Sequence, residues 1–152
     1  MIPISRPVLA RGRERGFSLI EVLVSVLVLG VGMLGVAAMQ TTALRNGQSS
    51  LERSQAVVQT YAILDAMRAN RADANNGSYN LTTWTCSPPA IGATLRENDL
   101  NRWITSLQQD LGPNACGRIT CGTTRCTIDV RWDDSRGKGG TSDYQVSTST
   151  RL

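Results

Sequence analysis

Histidine is absent from this chain of 152 residues, so it lacks the side chain that several kinds of active site most often use. Histidine is the commonest general base, the usual partner of serine and cysteine nucleophiles, and the commonest metal ligand. We therefore predict that the chain is not an enzyme and that it holds neither a metal nor a cofactor.

The net charge is also low once the first sixteen residues are set aside. The whole chain has a formal net charge of +4, and residues 1–16, with four arginines and one glutamate, account for +3 of it. Residues 17–152 therefore have a net charge of only +1. A nucleic-acid-binding domain needs a basic face, so we do not expect nucleic acid to be a partner.

One long apolar run interrupts an otherwise mixed sequence. Residues 19–39 contain a single charged residue, Glu21. As a helix they would extend for about 31 Å, enough to cross a hydrocarbon core of about 30 Å. The preceding arginines predict a cytoplasmic N-terminus, with the chain from Thr41 onward outside the membrane. A carboxylate within such a run costs about 2.5–3.5 kcal/mol, which makes Glu21 a candidate functional residue.

The junction between the basic and apolar parts is Gly16-Phe17, with Glu21 four residues after the phenylalanine. This arrangement resembles the processing site of type IV prepilins and of type II secretion pseudopilins. In that family a membrane peptidase cuts after the glycine and methylates the new N-terminal residue. The resemblance implies cleavage between Gly16 and Phe17, N-methylation of Phe17, and a role for Glu21 in subunit assembly and register.

The resemblance also divides the chain into three parts. Residues 1–16 form a leader that is removed, residues 17–39 form a transmembrane helix that later lies in the fibre core, and residues 40–152 form a periplasmic head that includes the outer half of the long helix. Two other interpretations of the N-terminal segment remain. A secretory signal peptide would be cut near Met39, although its apolar part is usually about 7–15 residues. A plain membrane anchor would leave Glu21 near the interface. Neither explains the Gly-Phe-x-x-x-Glu spacing.

All four cysteines follow the apolar run: Cys86, Cys116, Cys121 and Cys126. An even number of cysteines in a small exported domain indicates disulfides, and four cysteines allow three pairings. We favour Cys121–Cys126, which closes a predicted hairpin, together with Cys86–Cys116. A four-cysteine zinc site is the alternative, but the four-residue gaps after Cys116 and Cys121 differ from the usual two-residue spacing.

Periodicity predicts two helices beyond the membrane. The first continues from Gln40 to about Arg71, with an apolar stripe at Val57, Tyr61, Leu64 and Met67. The second spans residues 98–111, with Asn98 as its N-cap and an apolar face that consists of Leu100, Trp103, Ile104, Leu107 and Leu111.

Three strands are predicted at residues 117–121, 125–132 and 141–150, with a turn at 122–124 and a loop at 133–140. Residues 72–90 carry turn signals and no period. The predicted fold is α+β and pilin-like: a long N-terminal helix packed on a small antiparallel sheet, with one extra short helix.

Further stretches of the chain resemble the PilV-type minor pilins, or pilus modification proteins: Leu29–Gly35, Gln40, Ala66–Arg71, Asp99–Leu111 and Val130–Asp134. This resemblance implies a scarce type IV pilus subunit that helps to prime fibre assembly at the inner membrane, lies near the tip, and supports twitching and adhesion. The implied partners are the prepilin peptidase, other minor pilins, the major pilin and the inner-membrane assembly platform. A type II secretion pseudopilin, a tip adhesin and a DNA-uptake subunit are the alternatives.

Overall fold

The computed structural model describes residues 16–122, 125–137 and 139–152. The predicted leader lies outside these residues, apart from Gly16, and so do Thr123 and Thr124 of the predicted turn. The chain forms two compact units, Met1–Met39 and Gln40–Leu152.

Three helices and four strands follow one another along the chain. They are α1 (Leu19–Ala69), α2 (Arg71–Asn75), β1 (Leu81–Thr85), α3 (Leu95–Leu111), β2 (Cys116–Cys121), β3 (Cys126–Trp132) and β4 (Tyr144–Thr150). The strands form one antiparallel sheet in the order β1-β2-β3-β4. The predicted α+β, pilin-like fold with a long N-terminal helix is confirmed.

The prediction that residues 72–90 lack regular structure was wrong at β1. The segment Leu81-Thr82-Thr83-Trp84-Thr85 is rich in β-branched and aromatic residues, which suit a strand. It pairs only with β2, at one edge of the sheet, and its register shifts between Leu81 and Thr85. Five residues between strong turn signals are too few to show a clear alternation of apolar and polar side chains. The sequence pattern alone therefore could not identify this strand, which is evident only from its pairing with β2.

The core of the second unit lies between the helices and one face of the sheet. The whole predicted apolar face of α3 is buried, as expected from its spacing. Trp103, at 3% exposure, also donates its indole N–H to the carbonyl oxygen of Gln59 at 3.0 Å. The sheet contributes large buried side chains that include Ile119, Ile128, Val130 and Trp132.

The predicted apolar stripe of α1 was half wrong. Leu64 and Met67 are buried, but Val57 and Tyr61 are 38% and 53% exposed. The buried face of α1 instead consists of Ser49, Ala56, Thr60, Ile63, Leu64 and Met67. Half of the residues on this face are small or carry a hydroxyl group. A search for apolar residues at helical spacing misses them, because their hydropathy is low. The Thr60 hydroxyl is satisfied within the helix, because it donates to the Ala56 carbonyl oxygen at 2.8 Å.

Helix α3 begins three residues before the predicted start, so Asn98 is not its N-cap. Thr94 is the N-cap: its hydroxyl accepts a hydrogen bond from the Glu97 backbone N–H at 3.2 Å, and the Glu97 carboxylate accepts one from the Thr94 N–H at 3.1 Å. The Thr94 hydroxyl also donates to the Glu97 carboxylate at 2.7 Å, and this bond, together with the one from the Thr94 N–H, lowers the pKa of Glu97. Thr-x-x-Glu is a recognised sequence pattern for a helix start, so this correction was within reach of the sequence.

Candidate functional site

The predicted cleavage position lies just before the first turn of α1. Gly16, Phe17 and Ser18 are outside the helix, and the Phe17 side chain is 82% exposed. The helix is initiated by the Ser18 carbonyl oxygen, which accepts hydrogen bonds from the N–H groups of Glu21 at 3.0 Å and Val22 at 3.3 Å. The Gly16-Phe17 peptide bond is therefore an accessible, non-helical bond, as a peptidase requires of its substrate.

Glu21 lies in the first turn of α1, four residues after Phe17. A carboxylate is favoured there by the positive end of the helix dipole. Its backbone carbonyl oxygen accepts a hydrogen bond from the Ser25 hydroxyl at 2.6 Å. Within the described part of the chain, the carboxylate itself has no hydrogen-bond or ion-pair partner. The structure thus brings Gly16, Phe17 and Glu21 within about one helical turn and leaves the acid available for an external cation.

The apolar part of the first unit has no protein partner within that unit. Every residue from 16 to 39 is exposed, including Leu23, Val28 and Leu34. Among the described residues, α1 is one helix long and apolar enough to cross a membrane by its length and composition. Contiguous apolar surface of this extent marks a membrane or protein interaction site.

Two disulfides join the four cysteines of the second unit. Cys86–Cys116 ties the segment after β1 to the first residue of β2, and Cys121–Cys126 closes the β2–β3 connection. These are the two pairs favoured from the sequence. No cysteine is free, so the alternative zinc site has no thiolate to use.

A half-buried ion pair that the sequence did not indicate holds α1 against the loop after β3. The Asp134 side chain is 1% exposed, and its Oδ2 accepts hydrogen bonds from the Ser49 hydroxyl at 2.9 Å and the Arg53 Nη2 at 2.7 Å. The hydrogen bond with Asp134 raises the pKa of Arg53. The guanidinium also lies 4.2 Å from the centre of the Tyr144 ring. More than eighty residues separate Arg53 from Asp134, so no local pattern could reveal this contact.

A second buried polar contact fixes the corner between α1 and α2. Tyr79 is fully buried and its hydroxyl donates to Asp99 Oδ2 at 2.7 Å, while Asn70 Nδ2 donates to the tyrosine oxygen at 3.2 Å. Burial and the hydrogen bond to Asp99 raise the pKa of Tyr79 to about 12. This contact stabilises the head and offers no reactive group at neutral pH.

The solvent face of the sheet carries a stacked cluster of arginines on Trp84. The guanidinium carbons of Arg118 and Arg131 each lie 4.7 Å from the centre of the indole ring. Both arginines also have acidic partners, since Arg118 pairs with Asp129 at 2.9 Å and Arg131 with Asp143 at 3.2 Å. The cluster is therefore neutral as a whole.

Comparison with known proteins finds a likeness in the N-terminal part of the chain. A family model of the prokaryotic N-terminal methylation motif matches residues 11–37, which include Gly16, Phe17 and Glu21. No curated protein and no solved structure gives a significant match to the chain. The motif implies processing by a prepilin peptidase and association with the membrane. With the apolar N-terminal helix, it supports a membrane-anchored, type IV pilin-like protein.

Proposed function

We propose that this chain is a PilV-type minor pilin, a non-enzymatic structural subunit that helps to prime type IV pilus assembly at the inner membrane and lies near the fibre tip. The observation that carries the proposal is the methylation motif, with Gly16-Phe17 accessible ahead of α1. The Glu21 carboxylate in the first turn of α1 has no partner among the described residues. Its partners are the prepilin peptidase, other minor pilins, the major pilin and the inner-membrane assembly platform. Through the pilus it supports twitching motility and adhesion.

The assembly step rests on one pair of charges. Cleavage after Gly16 creates an α-ammonium group at Phe17, and N-methylation keeps its positive charge. Glu21 of an incoming subunit pairs with the Phe17 ammonium of a neighbour in an apolar environment, where Coulomb attraction is weakly screened. Removing one member of a buried pair costs about 3–5 kcal/mol, so the pair fixes the vertical register at which the subunit is added.

The apolar surface of α1 supplies the remaining association energy. Gly30, Gly32 and Gly35 lie within the apolar run, and a Cβ added at any of them meets no atom within 4 Å. Small residues allow neighbouring helices to approach closely in a membrane or a fibre core. The surface that is solvated by lipid before assembly is therefore suited to packing against other pilin helices afterwards.

The head fits the compartment that this topology requires. Two disulfides and no free cysteine suit the oxidising periplasm and the cell surface. The positive charge before α1 favours a cytoplasmic N-terminus. We therefore place the precursor in the inner membrane as a single-pass protein with a periplasmic head, and the mature chain in the pilus.

The mature N-terminus tests the processing step. Mass spectrometry of the chain from cells with an active prepilin peptidase should give a product that begins at N-methylated Phe17, and cells without the peptidase should keep the leader. Gly16→Leu should block cleavage. A Cβ at Gly16 meets no atom within 4 Å, so this block would reflect recognition by the peptidase and not a damaged fold.

Gly35→Leu serves as the matched control, because it adds the same side chain to an equally open position of α1. It should be processed normally. A mature chain that begins at Phe17 without the peptidase, or that begins near Met39, would overturn the proposed processing.

The type II secretion pseudopilins share the N-terminal features and are the second candidate. Complementation separates the two, since a minor pilin should restore surface pili and twitching in a deletion strain without affecting protein secretion. Restored secretion with no change in pili would favour the pseudopilin.

A further inference from the structure

The two halves of the Cys86–Cys116 disulfide lie in different environments. Cys86 directly follows β1 and is exposed, whereas Cys116, the first residue of β2, is 3% exposed. A thiolate that attacks a disulfide needs access to one sulfur and expels the other. An external thiolate therefore has access to this bond at Cys86, and Cys116 is then the leaving group.

An arginine lies beside the sulfur that would leave. Arg131 of β3 is the register partner of Cys116, and its Nη2 donates to the Cys116 Sγ at 3.7 Å. A neighbouring guanidinium favours the thiolate form of a cysteine. Because attack on Cys86 places negative charge on the Cys116 sulfur, Arg131 is positioned to stabilise the product of that attack.

Neighbouring side chains hold the Arg131 guanidinium in this position. Its Nε lies 3.2 Å from the Asp143 Oδ1, and its central carbon lies 4.7 Å from the centre of the Trp84 ring. These contacts use other parts of the group and leave Nη2 for the sulfur. The Asn114 carbonyl oxygen lies 3.3 Å from the same Cys116 Sγ and accepts a hydrogen bond when the sulfur is a protonated thiol.

The disulfide also ties a segment without regular structure to the sheet. Residues 86–94 lie between β1 and α3 and contain neither helix nor strand. Two amide side chains of α3 bind the same segment, since Gln108 Nε2 donates to the Cys86 carbonyl oxygen at 2.7 Å and Asn101 Nδ2 to the Pro89 carbonyl oxygen at 2.6 Å. Reduction removes the covalent tie to β2 and leaves these hydrogen bonds in place.

We propose that Cys86–Cys116 is a site of thiol–disulfide exchange with a protein dithiol of the Cys-x-x-Cys type. The first thiolate of the partner forms a bond to the Cys86 Sγ while the Cys86–Cys116 bond breaks, and the electron pair of that bond leaves on the Cys116 Sγ beside Arg131. The second thiol of the partner loses its proton, attacks the mixed disulfide and expels the Cys86 thiolate. The partner is oxidised by two electrons, and Cys86 and Cys116 each take up one proton.

A dithiol suits this geometry better than a monothiol. The Cys116 thiolate stays next to Cys86 and re-forms the original bond by attacking the mixed disulfide. A monothiol competes poorly with that intramolecular step, whereas the second thiol of a dithiol is also intramolecular and has a high effective concentration.

Timed reduction of the full chain in a nonionic detergent tests the role of Arg131, with dithiothreitol as the probe. Free thiols are alkylated at each time and located by mass spectrometry. Arg131→Gln should slow the opening of Cys86–Cys116 about threefold to tenfold, because the leaving sulfur loses its cation. Opening of Cys121–Cys126 should keep the rate that it has in the unmodified chain.

Arg118→Gln is the matched control. Arg118 stacks on the same Trp84 ring, also at 4.7 Å, and pairs with Asp129, so the substitution removes the same charge from the same cluster. Its opening rate should equal that of the unmodified chain. Arg131→Lys, which keeps a positive charge, should open faster than Arg131→Gln.

A second variant keeps the test valid should Arg131→Gln impair folding, which circular dichroism would reveal. Asp143 is 58% exposed and competes with the sulfur for the Arg131 charge. Asp143→Asn should therefore speed the opening of Cys86–Cys116 about twofold. A rate no higher than that of the unmodified chain would contradict the role of Arg131.

Thioredoxin as the probe identifies the attacked sulfur and the class of partner. A thioredoxin variant without its second cysteine, used in excess and quenched with acid, should be attached to Cys86, with Cys116 as the free thiol. Intact thioredoxin should open the bond at least about tenfold faster than glutathione at equal thiol concentration.

Four results would overturn the proposal. They are an adduct on Cys116 in place of Cys86, equal rates for a folded Arg131→Gln and the unmodified chain, an equal loss in Arg118→Gln, and no opening by thioredoxin until denaturant unfolds the chain. None of these results bears on cleavage after Gly16, so failure here leaves the proposed function untouched.

Discussion

The two units of this protein treat their apolar residues in opposite ways. In residues 16–39 every leucine and valine is exposed, whereas residues 40–152 enclose a core in which Ile63, Leu64 and Ile104 are at most 2% exposed. Burial of such side chains is worth about 1.5–3 kcal/mol each. The second unit gains this energy within its own fold, and the first can gain it only from lipid or from other helices.

One carboxylate from each unit shows the same contrast, which here concerns whether the unit itself supplies hydrogen-bond partners. Asp134, in the second unit, is buried and takes its hydrogen bonds from Ser49 and Arg53 of the same chain. Glu21, in the first unit, has no partner for its carboxylate among the described residues. The comparison teaches that the second unit supplies donors of its own to a buried carboxylate, whereas the acid of the first unit has none among the described residues and, under the proposed function, meets its partner on assembly.

The largest effect that this comparison predicts is at Glu21. Glu21→Ala should leave cleavage after Gly16 largely intact but reduce assembly more than about a hundredfold, since an unpaired buried charge costs about 3–5 kcal/mol. The measurement is the amount of pili sheared from cells that carry only the variant.

Asp65→Ala is the control, because Asp65 is 71% exposed and pairs with Arg68 on the surface of α1. Surface pairs contribute about 0–1 kcal/mol, so pili should form normally. If cells with Glu21→Ala make as many pili as wild-type cells, Glu21 has no role in assembly, and the proposed difference between Glu21 and the acids that stabilise the fold is wrong.

The disulfides predict the next largest effect, confined to the second unit. Replacing Cys86 and Cys116 together by alanine should lower the free energy of unfolding by about 3–4 kcal/mol, and replacing Cys121 and Cys126 by about 2 kcal/mol, because loop-closure entropy grows with the length of the closed loop. The sequence separations are 30 and 5 residues. Denaturant unfolding of the chain in detergent measures both losses. Processing after Gly16 should not change, and a cleavage defect in either variant would contradict the independence of the two units.

Two glycines should respond to alanine with opposite signs. A Cβ at Gly117 would lie 2.5 Å from Trp103 and 2.9 Å from Ile104, both in the core, so Gly117→Ala should destabilise the protein by about 1–3 kcal/mol. A Cβ at Gly47 meets no atom within 4 Å. Gly47→Ala, within α1, should therefore stabilise by about 0.5–1 kcal/mol. Midpoints of chemical unfolding measure both changes. Equal signs would contradict the close packing of Gly117 against Trp103 and Ile104.

The last predicted effect, similar in size to that of Gly47→Ala, is at the cap of α3. Thr94→Ala should cost about 1 kcal/mol at neutral pH, as is typical for loss of an N-cap. The Thr94 bonds lower the pKa of Glu97, so their stabilising effect is present above the unfolded pKa of glutamate, about 4.3, and is lost as the pH falls through the lower folded value. The stability difference between the unmodified chain and Thr94→Ala should shrink on acidification from pH about 6 to about 3. A difference that stays constant over that range would exclude the carboxylate from the cap.

The N-terminal region was the most predictable part of the candidate site. The order of Gly16, Phe17 and Glu21 before an apolar run is a linear pattern, and it pointed to the same motif that the family comparison matches at residues 11–37. The apolar face of α3 was also predictable, because a clean helical spacing leaves one arrangement of the buried side chains. The number of cysteines left three pairings open, and the predicted hairpin favoured the pairing that the structure has.

Other features depended on neighbours that are distant in sequence. β1 is a strand because β2 pairs with it, and Ser49 and Thr60 are buried because the rest of the second unit covers them. The ion pair between Arg53 and Asp134 joins residues 81 positions apart.

The sequence by itself determined the N-terminal methylation motif, a segment that is long and apolar enough to cross a membrane, and an α+β fold for the remainder, because those properties are written in contiguous or periodic residues. Only the tertiary structure decided which face of α1 is buried and that Asp134 meets Ser49 and Arg53. The physical reason is that periodicity specifies the faces of single elements, whereas burial and charge compensation are set by side chains from elements that meet only after folding.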